Sequence, residues 1–89
     1  MSSFKEQFGN FFNLPEEIIL NRPLIMLVGE KKLYLENHNG IALYQKDLIK
    51  IRLKIGILEI KGDKLEIEKI EAVDLLISGD INSLAYKDN

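Results

Sequence analysis

With 89 residues the chain is long enough for one domain and too short for two. Cysteine is absent, which excludes disulfides and thiolate metal sites, and a net charge of −2 is not that of a polyanion-binding protein. The 46% hydrophobic content is that of a folded domain, and no stretch is apolar for long enough to span a bilayer as a helix.

Residues 1–22 differ in character from the rest. Phe4, Phe8, Phe11 and Phe12 recur at the spacing of one helix face, and Ser3 with Glu6 fits a capping box. A short helix is expected there, with Gly9 weakening it by about 1 kcal/mol. All four phenylalanines of the chain lie on this stripe, which makes it a candidate interaction face. Only Lys5 accompanies it, whereas a membrane-surface helix adds basic residues, so packing on protein is favoured over contact with a membrane. A further turn is expected from Pro15, and Arg22-Pro23 ends any helix. The beginning, Met1 to Glu6, lacks the basic-then-apolar pattern of a signal peptide, so an intracellular protein is expected.

From Leu24 the hydrophobic period becomes two. It predicts strands at about 24–28, 32–37, 41–46, 48–55, 57–61, 64–70, 74–78 and 81–86, within a domain 23–89. His38-Asn39-Gly40 reads as a hairpin loop that sets Leu35 opposite Leu43 and Tyr34 opposite Tyr44. Ile55-Gly56 reads as a turn placing Leu53 opposite Leu58 and Ile51 opposite Ile60, although isoleucine resists positive φ. Gly62-Asp63 reads as a two-residue turn pairing Ile60 with Leu65, and Gly79-Asp80 as another facing Leu75 with Leu84. Ile49, Ile51, Leu53, Leu58, Ile60, Leu65 and Ile67 then share one face. Lys50, Arg52, Lys54, Glu59, Lys61, Glu66 and Glu68 share the other, with Arg52, Glu59 and Glu66 aligned across three strands. The expected fold is all-β: a small antiparallel sandwich or curled β-meander of about seven to eight strands, with a short N-terminal helical segment.

Candidate chemistry is sparse. His38, the only histidine, has no serine, cysteine or second histidine to complete a nucleophile–base pair, so it reads as a loop residue satisfied by its neighbours. Glu59, Glu66, Glu68, Glu71 and Asp74 alternate with lysines, the pattern of a solvated strand face rather than of a cation loop. The basic strand Leu48 to Lys54, near Tyr34 and Tyr44, is offset by glutamates and lacks aromatic RNA signatures, so nucleic acid is not an expected partner. The glycines at 29, 40, 56, 62 and 79 punctuate strands without cradling phosphate, since no helix follows them; their recurrence also admits a β-solenoid as a minor alternative. No catalytic residue, metal or cofactor is expected.

Leu14-Pro15-Glu16-Glu17, Pro23-Leu24-Ile25 with Gly29, and Leu33-Tyr34-Leu35-Glu36-Asn37-His38-Asn39-Gly40-Ile41 together resemble the YabP/YqfC family of bacterial sporulation proteins. Gly56-Ile57-Leu58-Glu59-Ile60-Lys61-Gly62, Leu65-Glu66-Ile67, Ile77-Ser78-Gly79 and Leu84-Ala85-Tyr86 continue the likeness, which covers about residues 14–86. The Glu-Asn-His-Asn-Gly-Ile segment is its most specific part and points to the YqfC type. The resemblance implies a role in endospore formation, in the mother-cell cytoplasm, and brings no catalytic residues with it. The expectation is therefore a non-enzymatic interaction or structural factor with a protein partner or a copy of itself. The alternative is a small module binding a glycan or an anionic surface through Tyr34, His38 and Tyr44.

Overall fold

The computed structural model describes residues 22–88. The expected N-terminal helix, with Phe4, Phe8, Phe11 and Phe12, falls outside the described residues. Six strands form one antiparallel sheet: β1 (Leu24–Val28), β2 (Lys32–Glu36), β3 (Ile41–Tyr44), β4 (Leu48–Leu53), β5 (Gly56–Ile70) and β6 (Asp74–Lys87). Their order across the sheet is β1-β2-β6-β5-β4-β3, with no helix among the described residues.

The expected seven to eight strands become six because Gly62-Asp63 and Gly79-Asp80 are not turns. Both lie inside long strands, at bulges where β5 and β6 pair with each other. The ladder shifts register three times, between Lys61 and Gly62, between Asp63 and Glu66, and between Ile67 and Lys69. Gly79 takes a φ of +135°, and Lys64 opposite it takes +53°. Ile60 therefore pairs with Leu84, and Leu75 with Ile70 and Leu35; the expected pairs Ile60–Leu65 and Leu75–Leu84 do not form.

The other turns are corrected in smaller ways. His38-Asn39-Gly40 closes no hairpin, so Leu35 does not meet Leu43 and Tyr34 does not meet Tyr44: β2 lies between β1 and β6, and β3 pairs with β4. In the β4–β5 hairpin Leu53 faces Gly56 and Ile51 faces Leu58, two residues from the expected register. The turn falls on Lys54-Ile55, and Gly56 carries the positive φ that isoleucine resists. A shift of two keeps every side chain on its face, so the expected sidedness survives. The shift does break the alignment of Arg52 with Glu59, since Lys50 pairs with Glu59 and their side chains lie 3.7 Å apart.

Chain connectivity forces the sheet to curl. Glu36 ends β2 level with Asp74, whereas Ile41 begins β3 level, through Ile51 and Leu58, with Tyr86. In a flat sheet those heights along β6 would differ by about 40 Å at roughly 3.3 Å per residue. The link from Glu36 to Ile41 reaches at most about 18 Å. The β5–β6 ribbon must therefore bend at its bulges and bring its two halves face to face. One core results, drawn from both halves: Leu33 and Leu35 of β2, Ile49, Ile51 and Leu53 of β4, Leu58, Ile60 and Leu65 of β5, and Leu75, Ile77 and Ile81 of β6. Ile67 packs against it, partly buried.

Candidate functional site

The link between β2 and β3 is where the sequence singled out His38, and its backbone ties the two halves together. Asn37 N–H donates to the Val73 carbonyl at 2.7 Å, on the β5–β6 loop. Two residues on, Asn39 N–H donates to the Arg52 carbonyl at 2.7 Å, and Arg52 N–H returns a bond to Gly40 at 2.8 Å. Asn37 adopts a φ of +72°, which asparagine tolerates better than most residues, and Gly40 one of +115°.

His38 is only 6% exposed, and both ring nitrogens serve the backbone. Nδ1 accepts the Gly40 N–H at 3.0 Å, so the proton sits on Nε2, which donates to the Glu71 carbonyl at 3.1 Å. An imidazole held this way fastens the link to the β5–β6 loop and offers no free nitrogen for acid–base work.

Tyr34, Glu36 and Asp74 lie beside it. Tyr34 and Glu36 share the face of β2 opposite Leu33 and Leu35, where Glu36 is nonetheless buried and its Oε1 accepts the Tyr34 hydroxyl at 3.2 Å. Asp74 pairs with Glu36 across the β2–β6 ladder. Burial, then the charges of Asp74 and Glu36, push the Tyr34 phenol up to about 12. Burial, then the charges of Glu36 and Glu71, hold the Asp74 carboxyl above the usual carboxylate range, while the Tyr34 hydroxyl and His38 oppose that shift. The structure thus brings Tyr34 and His38 to one carboxylate, Asp74. Tyr34 and His38 were expected together, but Asp74 was not legible as their neighbour, because its place depends on pairing residues some forty positions apart.

Tyr44 stands elsewhere. It lines an open groove of about 540 Å³ with Gln45, Lys46, Lys64, Leu65 and Glu66, and neither Tyr34 nor His38 reaches that groove. Its hydroxyl accepts the Ile67 N–H at 2.9 Å, which ties β3 to β5. Leu65 N–H donates to the Lys46 carbonyl at 2.7 Å at the groove's edge.

The acidic strand residues are mostly paired with lysines: Lys32 with Glu68 at 2.8 Å, Lys69 with Glu71 at 3.0 Å, and Lys31 with Asp80. The hydrogen bond from Lys32 lowers the Glu68 pKa, and that from Lys31 lowers the Asp80 pKa. Among the described residues no three histidine, aspartate or glutamate side chains converge as a metal centre, and no helix is long and apolar enough to cross a membrane.

The two edges of the sheet differ. β3 is four residues long and bulged between Ile41 and Leu43, and Arg52 Nη1 donates to the Ile41 carbonyl at 2.9 Å. β1 is Leu-Ile-Met-Leu-Val, with no charge, bulge or internal proline, and Leu27 and Val28 are 46% and 61% exposed. Length, bulges and charge are the usual guards of an edge, and β1 has none of the last two.

Comparison with known proteins bears on most of the described chain. Residues 20–89 match the model of the YabP family. The chain is also 30% identical over 73 residues to the uncharacterized protein YqfC of Bacillus subtilis (strain 168), covering 82% of this chain and 78% of that protein. The chain belongs to the YabP/YqfC family.

Proposed function

We propose that this chain is a non-enzymatic interaction and structural factor supporting endospore formation in the mother-cell cytoplasm. The sporulation context rests on the family resemblance. The interaction role is carried by one observation, the apolar β1 edge, which has no charge or bulge and no pairing strand among the described residues, since an open strand edge is a template for pairing with another chain. The commitment of both His38 nitrogens to backbone groups supports the non-enzymatic part.

The test uses the full-length chain and its Val28→Lys variant in sporulating cells. A lysine at this exposed edge position should reduce both partner capture and spore yield while the purified protein keeps its fold. Unchanged spore yield with Val28→Lys, or with the whole chain removed, refutes the reading.

The groove beside Tyr44 favours a second reading, a module for a glycan or an anionic surface, because Lys46 and Lys64 flank an aromatic ring there. Binding to anionic vesicles or glycan fragments that Tyr44→Ala abolishes would support it. Tyr34 and His38 take no part in this version of the site.

A further inference from the structure

Among the described residues both sheet edges are open, and they are not equivalent. An edge free of charge, bulge and proline is retained at the risk of aggregation unless something pairs with it. β1 meets that description over all five of its residues, whereas β3 is short, bulged and has a carbonyl taken by Arg52.

We infer that β1 pairs antiparallel with β1 of a second copy about a two-fold axis through Met26, joining two sheets into one of twelve strands. The inference rests on the interaction reading above and names the partner.

The sequence around β1 is self-complementary under that operation. Leu24 meets Val28 of the other copy, Ile25 meets Leu27, and Met26 meets its own counterpart. Ile25 and Leu27 share the core-side face, since they pair with Leu35 and Leu33 of β2. Each copy would therefore extend the other's apolar face and cover the exposed part of Leu27. No like charges meet within the strand, because it contains no charge. Just beyond its ends, the same axis brings Arg22 of one copy to the end occupied by Glu30 of the other, twice over. Opposite charges flanking an uncharged strand select this register over one slipped by two residues. Such an isologous contact closes on itself, so it yields a dimer and leaves β3 as the outer edge of both sheets.

The chain has no cysteine, so a single introduced thiol reports the register directly. Facing residues of an antiparallel pair have Cα atoms about 4.5–5.5 Å apart, within disulfide range. Full-length Met26→Cys should form a disulfide-linked dimer on mild oxidation. Leu24→Cys should not, because its counterpart lies roughly 13 Å further along the strand. By sedimentation, the unmodified chain should be dimeric at high micromolar concentration and Val28→Lys monomeric. Glu30→Arg should weaken the dimer roughly two- to thirty-fold, and combining it with Arg22→Glu should restore it.

A monomeric unmodified chain overturns the inference, as does faster cross-linking at Leu24→Cys than at Met26→Cys. A monomer whose β1 amides resist hydrogen exchange would also overturn it, by assigning the edge to the chain's own N-terminal segment. If the chain is monomeric yet still captures a partner through β1, the self-pairing fails while the interaction reading stands.

Discussion

Replacing His38 by alanine separates a structural histidine from a functional one. The ring is buried and bridges Gly40 N–H and the Glu71 carbonyl. Its removal strands two backbone groups at the point where the β2–β3 link meets the β5–β6 loop. A lost hydrogen bond costs about 0.5–1.5 kcal/mol, and a group left unsatisfied in a buried place about 1–3 kcal/mol. Water reaching Gly40, which is only partly buried, lessens the second cost. The expected destabilisation is therefore about 2–4 kcal/mol, a large share of the roughly 5–15 kcal/mol of an ordinary domain. In urea, with a slope of about 2 kcal/mol per molar, the midpoint followed by circular dichroism should fall by roughly 1–2 M. Spore yield at permissive temperature should stay close to normal, because no nitrogen of the ring is free for chemistry. A His38→Ala protein as stable as the unaltered chain to within about 0.5 kcal/mol, yet inactive in cells, would refute this reasoning and mark His38 as a functional group.

Gly79→Ala should destabilise by about 2–6 kcal/mol in the same titration: an L residue at φ +135° costs about 1–3 kcal/mol, and its Cβ would lie 2.6 Å from the Lys64 carbonyl oxygen, adding overpacking of similar size. Ile60→Ala, at a fully buried site, should cost about 2–5 kcal/mol, whereas Ile70→Ala, 56% exposed, should stay within about 0.5 kcal/mol. Asp74→Asn should raise stability at neutral pH. The folded state holds the Asp74 proton more tightly than the unfolded chain, so it bears a penalty once the carboxyl is ionised in both states, and the gain should shrink as pH falls toward and below 3.8. Asp80→Asn should show the opposite sign, since the depressed pKa of Asp80 gives stability that is present above 3.8 and lost as pH falls through its folded value.

Which face each strand buries was legible from period alone. The core residues of β4 and β5 are those the alternation selects, because burial of one face leaves a two-residue period whatever the partner strand. Pairing was legible only at the β4–β5 hairpin, and there two residues out of register. A glycine followed by aspartate gives the same local signal at a two-residue turn and at a bulge, and only the distant strand decides between them. One trace was present: the buried positions of β5 change from even numbers at Leu58 and Ile60 to odd at Leu65 and Ile67. A bulge and a turn both produce that change. The turn reading fails because β5 and β6 stay paired through the region. The candidate site was half legible for the same reason. His38 drew notice as a residue type, but its contact with Glu71 and the nearness of Tyr34 to Asp74 follow from β2 inserting between β1 and β6.

The residues that most specifically carry the family likeness are also those that hold the curl closed. Asn37 supplies a positive φ, His38 ties the link to the β5–β6 loop, Asn39 reaches β4, and Gly40 completes the exchange with Arg52. Those side chains and amides are engaged by the protein's own backbone. Among the described residues, the sheet edges and the groove at Tyr44 lie outside that network. The β3 edge is partly spent, on Arg52 and on the bulge; the groove at Tyr44 has its hydroxyl engaged by Ile67. β1 keeps one whole side of its ladder without a partner among the described residues, along an uncharged strand. The cost of leaving such an edge unguarded makes it the place where a partner is best sought.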